Sequence, residues 1–194
     1  MAPQERRRAI VDAVIPLLAV HGRAVTTRQV AEAAGIAEGT IFRVFDGKDE
    51  LIDAALVSAF DPAPFLSRLQ AVPRDCPLRD RLVATVTAMQ DRYVAIFSLM
   101  HAVGLVAPPE HLHEDKRVHD WRTAMVDLLT GLIEPDAGLL RVSPYEFVHV
   151  LRLLTFSGSH AHISDGRLMT PEEIVDVVLH GFLTSGTPAT ATER

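Results

Sequence analysis

Residues 26–51 read TTRQVAEAAGIAEGTIFRVFDGKDEL, and their spacing decides the fold. Thr26 followed three residues later by Gln29 makes a reciprocal helix cap, in which the hydroxyl accepts the third amide and the amide side chain reaches back. The helix started there, over 27–34, turns Val30, Ala31 and Ala34 to one side. It ends at Gly35, the residue type that most easily takes the left-handed conformation of a helix stop. A second helix is predicted over 38–44, burying Ile41, Val44 and Phe45 and stopping at Asp46-Gly47. Two short helices joined by a glycine turn and packed through alanines form the unit that projects its second helix into a DNA major groove.

Outward from this segment the hydrophobic spacing stays helical, and no stretch alternates well enough to predict a strand, so the chain reads as all-α. A helix over 4–21 precedes the motif, with Ile10, Val14, Leu17 and Leu18 on one face, Gly22 as its stop, and Pro16 expected to bend it. Helices are predicted downstream over 48–60, 62–72, 78–103 and 115–133, with Pro108 and Pro109 breaking the chain between the last two. Two further starts repeat the capping pattern of Thr26: Ser143 with Glu146, and Thr170 with Glu173. Each has a proline next, Pro144 or Pro171, where its missing donor costs nothing. They open helices expected over 143–162 and 170–184.

The motif resembles the TetR family of bacterial regulators. Gly39, Thr40, Ile41, Phe42, Phe45, Lys48 and Leu51 stand in that family's register, behind an Ala-Ala-Gly turn and a helix that opens on Arg6, Arg7 and Arg8 and closes on His21-Gly22. The close match covers roughly the first quarter of the chain; beyond it, length and helix count agree. The resemblance implies an N-terminal three-helix helix-turn-helix DNA-binding domain over 1–47, a helical ligand-binding and dimerisation domain over 48–185, and a flexible tail over 186–194. It further implies a homodimer on palindromic operator DNA, with repression as the expected output and release by a small apolar or amphipathic effector.

Within the motif, Thr26 and Thr27 can offer hydroxyls to phosphate, and Arg28 and Lys48 add charge at either side, so these position the module. Gly39 lets the recognition helix lie close to the groove, where the Thr40 methyl suits a thymine methyl and Arg43 can reach guanine. Two positions depart from the family. Phe42 stands where an aromatic hydroxyl usually meets a phosphate, so one hydrogen bond of about 0.5–1.5 kcal/mol is lost. Glu38 stands where many relatives open the helix with a basic residue; it can accept from a cytosine amine or point away. These departures keep open the alternative of a helical ligand-binding protein with a degenerate DNA-reading head.

The last two predicted helices carry the expected dimer interface: Leu151, Leu154, Gly158, His162, Ile174, Val177, Val178, Gly181 and Phe182, the glycines permitting close approach. The middle helices supply adaptable and flat side chains suited to an apolar cavity. Met89, Tyr93, Phe97, Met100, Met125 and Phe156 are its expected walls, and His101, Trp121 and His160 its polar handles.

Composition limits the rest. A net charge of −6 argues against general affinity for polyanions, and even residues 1–60 hold seven Lys/Arg against eight Asp/Glu, so DNA binding has to come from a local patch. No secretory leader and no apolar run of membrane-spanning length is visible, which predicts a cytoplasmic protein with no membrane partner. The lone Cys76 matches no disulfide, nucleophile or zinc spacing. Without a phosphate loop, nucleophile elbow or metalloprotease pair, no catalysis is expected. His111 and His113 beside Glu110 and Glu114, with His119 downstream, and His160 with His162, are the only groupings that suggest a metal; residues two apart on a helix face different ways, and no metal or cofactor is expected.

Overall fold

The computed structural model describes residues 2–108 and 116–182, from the backbone alone over 116–119. The described residues are helical and contain no strand. In order they form α1 (Pro3–His21), α2 (Thr27–Ala34), α3 (Glu38–Ile41), α4 (Lys48–Ala59), α5 (Ala63–Gln70), α6 (Leu78–Ala102), α7 (Lys116–Ile133), α8 (Pro144–Gly158) and α9 (Pro171–Phe182). Short 3-10 turns over Gly22–Ala24 and Glu134–Leu139 complete the elements. The chain divides into two units, residues 1–64 with 94–119, and 65–93 with 120–194.

In the first unit α1 packs on α2 and α4. Ile10, Val14 and Leu18 of α1 are fully buried with Val30, Ile41, Phe45, Leu51 and Ile52, joined by Leu99 and Val103 from the end of α6. This repeat on α1 is the three-to-four-residue stripe of a helix with one buried face. α1 runs on through Pro16, which is exposed, so the carbonyl it leaves unpaired can turn to water. Gly22 ends α1 with φ +54°, and a side chain there would fall on the Ala102 carbonyl oxygen. Arg23 Nε donates to the neighbouring Val103 carbonyl at 3.2 Å. Lys48 Nζ donates to the Arg23 carbonyl at 2.7 Å, which ties the start of α4 to the same corner.

The second unit is built around Phe147, Val148 and Leu151 of α8 and Ile174, Val175 and Val178 of α9, packed with Leu82, Val86 and Met89 of α6 and Met125, Leu129 and Ile133 of α7. Both predicted caps form. Ser143 Oγ accepts from the Glu146 amide at 3.2 Å, and Thr170 Oγ1 from the Glu173 amide at 3.2 Å.

Several predicted boundaries move. α8 ends at Gly158 rather than continuing to 162. The hydroxyls of Thr155 and Ser159 bond back to the carbonyls of Leu151 and Thr155, at 2.7 and 2.6 Å, and the chain doubles back so that Met169 N–H reaches the Gly158 carbonyl at 3.0 Å. Regular helix in α3 stops at Ile41, and residues 42–44 continue as a turn closed by Val44 N–H to Ile41 O at 2.9 Å. Phe45 N–H still reaches the Ile41 carbonyl at 2.9 Å, and Phe45 is buried with Ile41.

Candidate nucleic-acid interface

The local chemistry of residues 26–45 sets one face inward and the other outward. Thr26 Oγ1 accepts from the Gln29 amide at 3.2 Å while Thr26 N–H donates to Gln29 Oε1 at 2.8 Å, so the predicted capping box is formed. Gly35 takes the left-handed conformation, φ +65° and ψ +35°, and reverses the chain into α3. Ile41 and Phe45 are buried at 0% and 2% exposure, whereas Glu38, Gly39, Phe42 and Arg43 on the other side are exposed and Thr40 is half-buried. A short ridge is thereby held rigidly on a hydrophobic footing.

Each candidate side chain has a definite setting on that ridge. A Cβ added at Gly39 would meet nothing within 4 Å, so packing inside the protein does not require glycine there. Its smallness leaves backbone open to an object approaching from outside. Arg43 forms no ion pair among the described residues. Arg28 pairs with Glu32 one turn on, at 3.1 Å, and Lys48 is turned to the Arg23 carbonyl. The Thr27 hydroxyl donates to Glu38 Oε1 at 2.5 Å, so the carboxylate that opens α3 faces α2. Phe42 is 56% exposed, an apolar ring standing in solvent beside Arg43 in the sequence.

A contact that the sequence did not disclose lies at the far end of the ridge. Arg7 of α1 places its guanidinium 4.3 Å from the centre of the Phe45 ring. Its Nη1 donates to the Val44 carbonyl at 3.3 Å and to Glu50 Oε1 at 3.2 Å. Glu50 Oε2 in turn accepts the Asp46 amide at 2.6 Å. That backbone hydrogen bond, with Arg7 adding to it, holds the Glu50 carboxyl below the usual carboxylate range. Nothing in the spacing of Arg7, Phe45 and Glu50 marks them as neighbours; only the crossing of α1 over the end of the motif does so.

In the second unit the predicted interface residues divide. Leu151, Ile174 and Val178 are buried in that unit's own core, and Leu154 and Phe182 pack against it, so the first three present no surface to a partner. Gly158 is also buried: a side chain there would meet Met169 at 3.1–3.2 Å, and its closeness serves the returning chain rather than a second protomer. His162, Val177 and Gly181 are exposed. So are Tyr145, Leu153 and Phe156 on α8, at 63%, 56% and 42%, which the period of the sequence did not separate from the buried face.

The predicted cavity residues divide too. Met89 and Met125 are core, at 0% and 2% exposure. Tyr93 and Phe156 meet edge to face at 5.5 Å, Phe156 and His160 lie 6.4 Å apart, and His160 and His162 are 5.8 Å apart. Arg92 sits over the Trp121 ring at 5.6 Å. Burial pushes the Tyr93 phenol up, opposed by the Arg152 guanidinium that hydrogen-bonds it. Phe97, Met100 and His101 belong to the first unit. Of the histidines that suggested a metal, 111 and 113 lie outside the described residues, and so does the side chain of 119. Among the described residues no three His, Cys, Asp or Glu side chains converge.

Comparison with known proteins agrees with this geometry. Residues 10–55 match the profile described as bacterial regulatory proteins, tetR family. The HTH-type transcriptional repressor KstR2 of Rhodococcus jostii (strain RHA1) is 31% identical over 134 residues, which is 66% of this chain and 64% of that one. An uncharacterized HTH-type transcriptional regulator of Bacillus subtilis (strain 168), YvkB, is 46% identical over 57 residues, 29% of each chain. The match thus spans less than two thirds of either relative's length. Among solved structures, a bacterial regulatory protein in the tetR family from Rhodococcus RHA1 superposes with a TM-score of 0.54 at 22% identity, over 90% of this chain and 95% of that one. The ketosteroid transcriptional regulator KstR2 of Mycobacterium tuberculosis does so with 0.55 at 18%, over 93% and 96%. At these identities the superpositions speak for the fold.

Proposed function

We infer that this chain, whose residues 10–55 match the tetR-family profile, belongs to that family and is a transcriptional regulator that reads double-stranded DNA through its helix-turn-helix. The observation that carries the reading is the ridge formed by α3 and the turn after it: Gly39, Phe42 and Arg43 stand exposed on a segment whose opposite face, Ile41 and Phe45, is buried. A short helix with bare backbone at its start, and a planar guanidinium four residues on in the turn that follows, can lie in a major groove and grip guanine through two parallel hydrogen bonds. Thr26 and Thr27 at the start of α2, with Arg28, would meet the sugar-phosphate rim.

One such ridge reads too few base pairs to be specific, so the functional form is a homodimer on a palindrome. The exposed apolar side chains Tyr145 and Leu153 of α8 and Val177 of α9 support a dimer surface on these helices. The Tyr93, Phe156 and His160 group, beside Arg92 and Trp121, suits a small amphipathic effector with an aromatic or ring-shaped apolar body. Effector binding would release the DNA, making the protein a cytoplasmic ligand-responsive repressor without catalytic activity, as the named repressor KstR2 suggests. No helix among the described residues is long and apolar enough to cross a membrane.

The test is selection of genomic fragments by the purified protein at about 50 mM salt, where phosphate contacts are strongest. Enriched fragments sharing two inverted half-sites about one DNA turn apart are the expected result. A flat isotherm on every fragment would favour the alternative, a helical ligand-binding protein whose reading head is degenerate.

A further inference from the structure

We propose that Arg7 is a positioning residue for DNA reading: lying on Phe45 and bonding Val44 and Glu50, it fixes the exit of the recognition segment instead of contacting phosphate. The inference rests on the DNA-reading function proposed above.

The argument starts from how little backbone holds that exit. α3 is four residues long, and residues 42–44 are a turn with bonds such as Arg43 N–H to Thr40 O at 3.2 Å. So short a segment has almost no helical cooperativity of its own. Side chains supply what the backbone lacks. Three consecutive residues are clasped: the Val44 carbonyl by Arg7 Nη1, the Phe45 ring by the Arg7 guanidinium face, and the Asp46 amide by Glu50, which Arg7 also pairs. Phe45 is already seated in the core at 2% exposure, so the guanidinium closes over a fixed ring rather than a mobile one. Arg43, which would reach a base, directly precedes the clasped residues, and its side-chain direction follows from theirs.

The neighbouring arginines are placed otherwise. Arg8 lies 3.9 Å from Asp12 with 86% of its side chain exposed, and Arg6 forms no ion pair among the described residues. Among the three, Arg7 alone turns a donor, Nη1, and its flat face on the motif, a combination lysine cannot reproduce. The run Arg6-Arg7-Arg8, which as a sequence reads as one basic cluster, contains two kinds of residue.

The experiment compares wild type, Arg7→Ala, Arg7→Lys and Glu50→Gln on the best selected fragment and on random DNA across salt, with amide hydrogen exchange of the free protein. A positioning role predicts that Arg7→Ala lowers the ratio of selected to random affinity about tenfold, within the value of one good base contact, and leaves the salt slope unchanged. Amides of 44–46 should exchange faster while those of α1 and α2 keep their protection. Arg7→Lys, with charge but no planar face, should stay near Arg7→Ala in discrimination. Should Arg7→Ala fail to fold, Glu50→Gln decides the matter, since it leaves Arg7 in place and should still speed exchange at Asp46 and lower discrimination. A salt slope shallower by about one, with equal loss on both DNAs, would overturn the proposal by making Arg7 a phosphate contact. Unchanged exchange at 44–46 would overturn it as well. Because exchange is measured without DNA, a wild-type chain that bound no DNA would refute the proposed function while the clasp was still judged.

Discussion

The Glu38 carboxylate accepts the Thr27 hydroxyl at 2.5 Å, joining the first residue of α3 to the first residue of α2 across the glycine turn. A negative charge is thereby fixed beside the path a DNA backbone would take, on a protein whose net charge is already −6. Glu38→Gln keeps an acceptor for Thr27 and removes the charge. Affinity for selected and random DNA should rise together, by about threefold at ~50 mM salt and less as salt screens it. Binding titrations at two salt concentrations check this. A loss confined to the selected fragment would instead put Glu38 on a base edge.

Gly22 tests the corner that joins α1 to the end of α6. Its φ of +54° and the Ala102 carbonyl oxygen in the place of a side chain combine two obstacles, conformational strain and overlap with backbone that cannot swing aside. Gly22→Ala should cost about 2–4 kcal/mol in chemical denaturation. Gly39→Ala, where a Cβ meets nothing within 4 Å and φ is not positive, should leave stability unchanged or raise it by up to about 1 kcal/mol and yet weaken DNA binding. Equal effects of the two on stability would contradict the reading of Gly39 as an approach site.

Leu151 and Leu153 are two residues apart on α8 and opposite in burial, 0% against 56%. Leu153→Asp should therefore leave the protomer folded and weaken the dimer, seen by sedimentation or light scattering over a dilution series. Leu151→Asp places an unpaired charge in the core and should unfold the protomer, at a cost of several kcal/mol. A dimer untouched by Leu153→Asp and Val177→Asp would move the interface off these faces.

The fold class and the motif were legible because their signals are local. Capping boxes at Thr26, Ser143 and Thr170 act within four residues, and the Gly35 turn needs only one residue type. What failed was any decision between two apolar faces of one helix. α8 carries apolar residues almost all round, so Leu151 and Leu153 look alike until α9 and α7 are packed against one side. The end of α8 was missed because it depends on Met169, eleven residues downstream, closing over Gly158. Arg7 was legible only as charge, since its meaning comes from Phe45 and Glu50, which tertiary crossing brings to it.

Acid should loosen the same clasp. The Glu50 carboxyl is held low in the folded protein by the Asp46 amide and by Arg7, so its contribution is fully present above the unfolded-state value, about 4.3 for a free glutamate. That contribution is lost as pH falls through the folded value. Wild type and Glu50→Gln should therefore differ in amide exchange at 44–46 at pH 7 and converge as pH falls through the folded value, which lies beneath that of a free glutamate. A difference constant with pH would show that Glu50 acts through its shape and not its charge.

The central claim, that the α3 ridge reads bases, is tested most directly by Arg43→Ala. Arg43 is exposed and forms no ion pair among the described residues, so its removal leaves the fold untouched. The measurement is affinity for the best selected fragment and for random DNA, at one fixed salt concentration. The account predicts a loss of roughly 1–3 kcal/mol on the selected fragment, about tenfold or more, with little change on random DNA. Equal losses on both, or none on either, would contradict it.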